Sequence, residues 1–311
     1  MNKNDKIYIA GHHGLVGSSI LKLFKSRGFK NLICRSHREL DLINTVQTEE
    51  FFRNEKPDYV ILAAACVGGI KANMARQADF LYQNLMIQNN VINSSYKSGV
   101  KKLCFLGSSC IYPRECPQPI KEEYLLTGPL EPTNEGYALA KLSGYKLCLF
   151  YKKQYGLDSV SLMPCNIYGP NDHFDLENSH VLSALVKRFS DAERDNVKEI
   201  TLWGTGSARR EFLHSDDLAR AVFHFMEKRD SSEFINIGPG TDITIKELAY
   251  KIVEMTGYKG SVKWDATNPD GMPRKCLDVS QMKAGGFEPE ISLDKGIAQM
   301  VETYRTGKVR L

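Results

Sequence analysis

Short apolar runs alternate with segments of helical spacing along the first half of the chain. The runs are KIYIA, NLIC, YVILAAA, KKLCFLG and SVSLMP, and YVILAAA has no polar face. The segments between them place apolar residues three or four positions apart, as an amphipathic helix requires. Buried strands joined through helices predict an α/β fold of Rossmann type, with a doubly wound parallel sheet.

The pattern changes after about Gly169. The polar loop GPNDHFDLENSH precedes a helical segment, EITLWGTGSARREFLH predicts a strand and a hairpin-like loop, and EFINIGPG predicts one more strand of the sheet. Ser215 is expected to cap the helix that follows it. We predict a cofactor-binding Rossmann domain over residues 1–170 and 210–240. A smaller C-terminal α/β substrate-binding lobe is predicted over residues 171–209 and 241–311.

Composition and charge narrow the class of protein. A net charge of +4 over 311 residues argues against bulk nucleic-acid binding but permits local phosphate pockets. No stretch approaches the roughly 20 apolar residues of a membrane span, and the N-terminus lacks the pattern of a signal peptide. The eight cysteines form no CxxC pair, so no metal site is expected. We predict reduced thiols in a cytoplasmic protein with no membrane or nucleic-acid partner.

A glycine-rich turn follows the first strand. Gly11, Gly14 and Gly17 in GHHGLVG permit a tight turn and close approach of a pyrophosphate to the helix N-terminus. A plain strand–helix turn is the alternative. After the second strand, Arg35 and Arg38 occupy the region where an NAD-binding protein usually has an acid. Because a guanidinium suits a 2′-phosphate, we predict NADP(H), with solvated surface arginines as the alternative.

A serine, a tyrosine and a lysine suggest proton transfer. Tyr137 and Lys141 share a helix face at a spacing of i, i+4, and Ser108 follows a strand end. A tyrosine pKa near ~10 is too high for acid–base work at neutral pH. We expect the lysine ammonium, together with the positive nicotinamide of the oxidised cofactor, to lower it. A YxxxK pattern is common by chance, so the weight of this one comes from its position.

These motifs carry a resemblance to a known family. GHHGLVG, GSSCIYP, EPTNEGYALAK and MPCNIYGPNDHF resemble the extended short-chain dehydrogenase/reductases, and within them the GDP-sugar 3,5-epimerase-4-reductases. The similarity covers nearly the whole chain, although His13 stands where the family often has arginine. The resemblance implies NADPH-dependent conversion of GDP-4-keto-6-deoxy-D-mannose to GDP-L-fucose. Epimerisation at C3 and C5 would precede reduction at C4.

The resemblance also implies residue roles. Tyr137 would protonate the C4 oxygen, Lys141 would bind the nicotinamide ribose and Ser108 would position the carbonyl. Cys110 and His180 match the second acid–base pair, which inversion of a carbon requires. The sequence leaves open which of the two is base and which is acid. Taken alone, Cys110 would be a buried structural thiol and His180 a capping or surface histidine.

Further positions follow from the same match. Those expected to contact NADP(H) are Gly11, Gly14, Leu15, Val16, Gly17, Arg35, His37, Arg38, Leu106, Gly107, Ser109, Lys141, Pro164, Asn166, Ile167 and His180. Those expected to contact a GDP-linked 4-keto-6-deoxy-sugar are Asn166, Arg188, Trp203, Arg210 and Asp278. The two long helices that begin near Ala78 and Tyr137 would form a homodimer through a four-helix bundle.

Two alternatives stay open. The first is a 4-keto-reductase, with or without epimerase activity, for another GDP-linked deoxy-sugar or heptose. The second is a non-catalytic NADP-binding protein on a reductase fold, since one scaffold hosts many functions. A 4,6-dehydratase is disfavoured because Ser109-Cys110 stands where related dehydratases carry an acid pair.

Overall fold

The computed structural model describes residues 1–175, 179–228, 234–268 and 271–307. The strands are β1 (Lys6–Ala10), β2 (Asn31–Ile33), β3 (Tyr59–Leu62), β4 (Lys102–Leu106), β5 (Ser159–Pro164), β6 (Asn166–Tyr168), β7 (Glu199–Trp203), β8 (Arg209–Arg210), β9 (Phe212–His214), β10 (Ile235–Ile237), β11 (Ile243–Thr244), β12 (Ser261–Asp265) and β13 (Arg274–Lys275). The α-helices are α1 (Leu15–Ser26), α2 (Thr45–Glu55), α3 (Ile70–Ala75), α4 (Gln77–Lys97), α5 (Glu135–Tyr155), α6 (Val181–Arg194), α7 (Ser215–Glu227), α8 (Ile245–Thr256), α9 (Ser280–Ala284) and α10 (Leu293–Arg305).

The central sheet has six strands in the order β10-β5-β4-β3-β1-β2, and every neighbouring pair is parallel. The chain passes from β1 to β2 on one side and then crosses to β3 on the other side of β1. This reversal is a topological switch point, beside which open α/β sheets bind their ligands. The predicted doubly wound parallel sheet, including the strand in EFINIGPG, is confirmed.

The helices cover the sheet in two groups. Helix α1 packs against α7, while α4 packs against both α2 and α5. Right-handed crossovers that leave β1 in opposite directions put α1 on one face of the sheet and α2, α4 and α5 on the other. Strands β4 and β5 are buried along their whole length, which explains why their sequences have few polar positions.

A second hydrophobic cluster lies in the C-terminal part. It joins side chains of α6, α8 and α10 to strands β6, β7 and β9. The domain boundaries themselves stay a prediction. Residues 176–178 of the polar loop before α6 lie outside the described residues. The same is true of residues 229–233, 269–270 and 308–311.

Some local predictions were wrong. Strand β7 enters no hairpin; it pairs in parallel with β12, which comes about sixty residues later. Ser215 does not cap α7: the His214 ring accepts a hydrogen bond from the Asp216 N–H and serves as the cap. The short helix α3 and the C-terminal α10 were not predicted. The pairing of β7 with β12 joins segments that are far apart in sequence, which local pattern does not indicate.

Two further features are the absence of a membrane-spanning helix in the described residues and the state of the cysteines. In the described parts of the chain, no helix has the length and apolar character needed to cross a membrane. The eight cysteines are all free thiols, and their exposure ranges from buried to intermediate.

Candidate active site

The glycine turn lies at the switch point of the sheet. Gly11 has a φ of 83°, and a Cβ there would lie 2.7 Å from the Ala64 nitrogen. A Cβ on Gly17 would lie 2.1 Å from the Gly11 carbonyl oxygen. Gly14 caps α1 without a side-chain hydrogen bond, so the helix N-terminus keeps N–H groups for an anion. This turn fits the pyrophosphate of a dinucleotide.

The basic segment after β2 is only partly available to a ligand. The Arg35 guanidinium forms an ion pair with Glu55 at 2.5 Å and also donates to the Cys34 carbonyl. His37 is exposed and lies 3.5 Å from an Asp41 oxygen. Arg38 is exposed at the same edge of the sheet. Of the two arginines, Arg38 is therefore the better placed to meet a 2′-phosphate.

The other positions expected to contact the cofactor lie at the carboxyl ends of neighbouring strands. Leu106 ends β4 and is followed by Gly107 and the buried Ser109; Pro164 ends β5; Asn166 and Ile167 lie in β6; and Leu15 and Val16 form the first turn of α1. A Cβ on Gly107 would lie 2.1 Å from the Met163 sulfur, so a larger residue there would displace the Met163 side chain. Their shared edge fits a dinucleotide laid across β1, β4 and β5.

Helix α5 brings Tyr137 and Lys141 to the end of β4. The Tyr137 and Ser108 hydroxyls are hydrogen-bonded. Lys141 is buried; its Nζ donates to the Leu106 carbonyl at 2.8 Å and lies 5.9 Å from the centre of the Tyr137 ring. The three residues that the sequence predicted to act together are therefore neighbours.

Burial shifts the pKa values of Tyr137 and Lys141. Burial lowers the pKa of Lys141 to about 8. Burial raises the pKa of Tyr137, and the charge of Cys110 raises it further, against the hydrogen bond from Ser108. The Lys141 ammonium donates its hydrogen bond to a backbone carbonyl and not to the tyrosine, and burial is the largest effect on the tyrosine pKa. Tyr137 holds its proton at neutral pH, which is the form that a proton donor needs.

Cys110 lies on a short 3₁₀ turn, Ser109–Ile111, directly after β4. Its Sγ accepts hydrogen bonds from Asn134 Nδ2 at 3.1 Å and from Lys275 Nζ at 3.5 Å. Burial would raise the pKa of the thiol, but the charge of Lys275 and hydrogen bonds from Ser108, Lys275 and Asn134 bring it below its usual value. The surroundings of Cys110 therefore favour the thiolate.

His180 precedes α6 and has a carboxylate partner. Its Nδ1 lies 3.4 Å from Asp172 Oδ1. Asp172 is buried and also accepts hydrogen bonds from the Ser183 hydroxyl and the His173 N–H. The hydrogen bond to Asp172 raises the pKa of His180 against the effect of burial, and the charge of Cys110 adds to the rise. His180 is thus biased towards its protonated form.

Asn134, Lys275 and Asp172 were missed as site residues. Asn134 and Asp172 lie inside two motifs that carried the resemblance, EPTNEGYALAK and MPCNIYGPNDHF, and Lys275 lies in the segment PRKCLDVS. Nothing in their spacing indicates that they contact Cys110 or His180. Only the path of the chain shows it.

The positions expected to bind substrate are held by different elements. Arg188 lies on α6, and Trp203 ends β7 with its side chain exposed. Lys71 of α3, which was not predicted, places its Nζ 4.2 Å from the centre of a Trp203 ring. An exposed indole beside a cation suits a nucleotide base and its phosphates.

The remaining substrate positions lie at β6, β8 and just after β13. Asn166 donates to the Glu211 carbonyl at 2.9 Å, and Arg210 donates to the Arg209 carbonyl at 2.8 Å. Hydrogen bonds from the Ser280 hydroxyl and from its N–H hold the pKa of the Asp278 carboxyl below its usual value. In the described residues, no group of three or more His, Cys, Asp or Glu side chains could hold a metal ion.

Comparison with known proteins agrees with this geometry. The model of the NAD dependent epimerase/dehydratase family matches residues 7–238. The chain is similar to GDP-L-fucose synthase 1 of Arabidopsis thaliana, with 52% identity over 97% of this chain and 94% of that protein. It is also similar to GDP-L-fucose synthase of Escherichia coli strain K12, with 47% identity over 96% of each chain.

The chain is also similar to a solved structure over nearly its full length. A GDP-mannoheptose C4 reductase from Campylobacter jejuni with NADP bound is 40% identical and superposes with a TM-score of 0.90, covering 98% of this chain and 99% of that one. Both the sequence relatives and this structure extend over nearly the full length. The chain therefore belongs to the NAD dependent epimerase/dehydratase family, within the extended short-chain dehydrogenase/reductases that its motifs resemble.

Proposed function

We propose that this chain binds NADP(H) and converts GDP-4-keto-6-deoxy-D-mannose to GDP-L-fucose, by inverting C3 and C5 and then reducing C4. The names of relatives that are about half identical over nearly the whole chain support it. The observation that carries the proposal is the opposite bias of two groups beside the Ser–Tyr–Lys trio. Cys110 favours loss of its proton, and His180 favours retention.

The epimerase steps follow from that bias. C3 and C5 both lie next to the C4 ketone, so a proton on either carbon is acidified by enolate formation. The Cys110 thiolate removes the proton, the electron pair of the C–H bond forms a double bond to C4, and the π pair of the carbonyl moves to the C4 oxygen. Ser108 and Tyr137 hydroxyls donate hydrogen bonds to that oxygen. His180 then returns a proton to the opposite face of the carbon. This assigns Cys110 as the base and His180 as the acid.

The reductase step uses the same oxygen. When bound, NADPH supplies the hydride for C4. Tyr137 gives its proton to the C4 oxygen, Ser108 keeps the carbonyl in place, and the Lys141 ammonium stabilises the tyrosinate that results. The glycine turn and Arg38 hold the pyrophosphate and the 2′-phosphate. Trp203, with Lys71 beside it, and Arg188, Arg210 and Asp278 hold the GDP part of the substrate.

One experiment distinguishes epimerisation from reduction. The protein is mixed with NADPH and GDP-4-keto-6-deoxy-D-mannose in D₂O, and the product is examined by NMR. The expected result is GDP-L-fucose with deuterium at both C3 and C5. Cys110→Ala should lose deuterium incorporation while still binding NADPH. Normal exchange in Cys110→Ala, or a product without deuterium from the unaltered protein, would contradict the epimerase part.

A second candidate is reduction of a GDP-linked heptose. It is favoured by the Campylobacter jejuni reductase, which is 40% identical and has a TM-score of 0.90. The discriminating measurement is kcat/KM for NADPH oxidation with GDP-4-keto-6-deoxy-D-mannose and with the 4-keto form of GDP-mannoheptose. A higher value for the heptose would replace the first proposal.

We further propose a homodimer in which α4 and α5 pair with their copies. These two helices pack along each other, and their outer side exposes Tyr82 and Phe150. A shallow groove there is lined by Leu85, Leu126 and Leu147, among others. Light scattering should give twice the mass of 35.1 kDa for the unaltered chain and the single mass for Phe150→Glu. A monomer before substitution would refute the dimer.

A further inference from the structure

Lys275 reaches the end of β4 from the far part of the chain. It lies in β13, which pairs in parallel with β8, and its Nζ is 3.5 Å from Cys110 Sγ across 165 positions of sequence. Its neighbour Arg274 instead forms an ion pair with Asp242. In the described parts of the chain, Lys275 forms no ion pair with a carboxylate. Its charge is therefore directed to the thiol.

The segment around Lys275 is anchored on both sides. The Cys276 N–H donates to Gln118 Oε1 at 2.9 Å, and the Cys276 carbonyl accepts from the Ile120 N–H at 2.7 Å. The Leu277 N–H donates to the buried Glu211 carboxylate at 2.6 Å. These bonds hold the β13 backbone against the loop that follows Cys110. The fold thus fixes the backbone next to Lys275, from which the side chain reaches Cys110.

We propose that Lys275 is a positioning residue for epimerisation, whose ammonium keeps Cys110 as the thiolate that removes the C3 and C5 protons. This inference rests on the proposed function of the site. A thiolate so close to a lysine is stabilised by attraction and by a charge-assisted hydrogen bond. Asn134 supplies a second, neutral donor that orients the sulfur. Lys275 provides the positive charge, whereas Asn134 and the Ser108 hydroxyl provide neutral hydrogen bonds.

Other titratable groups near Cys110 and Lys275 also affect the protonation of the thiol. His180, from the start of α6, interacts with the Cys110 charge and, when protonated, adds to the stabilisation. Tyr137, from α5, is neutral at the pH of the reaction because burial raises its pKa. Glu211 interacts electrostatically with Lys275. Burial raises the pKa of the Glu211 carboxyl to about 7, so this carboxyl is only partly charged near neutrality. Lys275 is the cation in direct contact with the sulfur.

The first experiment needs no substrate. Alkylation of Cys110 by iodoacetamide is followed by mass spectrometry of its peptide between pH 5 and 10. Lys275→Met should move the midpoint of the rate profile up by about one pH unit or more, which lowers the rate at pH 7 about tenfold. Lys275→Arg should keep the original midpoint. A plateau rate at high pH equal to that of the unaltered protein shows that access is unchanged.

Lys263→Met is the matched control, because Lys263 is an exposed lysine of β12 paired with Glu199. It should leave the Cys110 profile unchanged. Thermal melting of each variant checks the fold. An unchanged midpoint in a folded Lys275→Met protein would overturn the proposal.

The second experiment measures deuterium exchange at C3 and C5 in D₂O. Lys275→Met should slow exchange about tenfold at pH 7 and shift its pH profile upward, while NADPH affinity measured by fluorescence stays the same. Lys275→Arg should restore the exchange. A shifted thiol profile with unchanged exchange would overturn the positioning role. Absence of exchange in the unaltered protein, with the thiol shift present, would instead overturn the proposed function.

Discussion

Asp172→Asn tests the assignment of His180 as the acid. The substitution removes the negative charge that lies 3.4 Å from His180 Nδ1 but keeps the size of the side chain. The Asp172 oxygens also accept from Ser183 and from the His173 N–H, and the amide oxygen of asparagine can retain one of these bonds. The main change is therefore electrostatic.

The size of the effect follows from distance and exposure. Two unit charges 3.4 Å apart attract by about 1.2 kcal/mol at the dielectric constant of water and by about 5 kcal/mol at an effective value of 20. The His180 side chain is 46% exposed, so solvent screening puts the interaction near the lower figure. Since one pKa unit corresponds to about 1.4 kcal/mol, the pKa of His180 should fall by about one unit.

NMR of the imidazole ring measures this directly. The chain has seven histidines, and His180→Gln identifies the signal of His180. Asp172→Asn should lower its titration midpoint by about one pH unit, and deuterium exchange at C3 and C5 should lose its alkaline limb at a correspondingly lower pH. Asp191→Asn, on the far end of α6 from His180, is the control and should move neither.

The pH dependence of folding stability tests the His180–Asp172 interaction independently. The native pKa of His180 is raised, so its pairing with Asp172 stabilises the fold fully below the unfolded pKa of about 6.5 and is lost as pH rises through the raised value. The difference in melting temperature between the unaltered protein and Asp172→Asn should therefore be larger at pH 5.5 than at pH 9. An unchanged His180 midpoint in a folded Asp172→Asn protein would refute the reasoning.

Three further outcomes are expected. Gly17→Ala should abolish NADPH binding in a fluorescence titration, because its Cβ would lie 2.1 Å from the Gly11 carbonyl oxygen; normal affinity would show that the turn does not hold the cofactor. Tyr137→Phe should slow NADPH oxidation by about 10²- to 10⁴-fold while NADPH still binds, and a smaller loss in stopped-flow kinetics would argue against its role as proton donor. Glu211 has its pKa raised to about 7 by burial, so its protonated form favours folding and stability falls as pH rises from about 4.5 to 7; Glu211→Gln should flatten that dependence in thermal melts, and an unchanged slope would contradict it.

Much of the scaffold can be predicted from local sequence pattern. Strand β1, the glycine turn and α1 are neighbours in sequence, so spacing alone predicts a phosphate-binding turn. Tyr137 and Lys141 are one helical turn apart, and their shared face needs only the helix to form. Ser108 and Cys110 follow a fully buried strand, which places them at the ligand-binding edge of a parallel sheet. The resemblance of whole motifs supplied the expected roles of these residues.

The local pattern did not determine the partners of the reactive groups. Lys275 meets Cys110 across 165 positions, and β7 pairs with β12 instead of forming the expected hairpin. Such contacts depend on where loops without periodicity carry the chain. The pKa of a group depends on the charges and burial around it, and these are set by distance in space. The sequence therefore determined the sheet, the glycine turn and the side chains proposed to react, whereas the lowered pKa of Cys110 and the raised pKa of His180 depend on the tertiary structure.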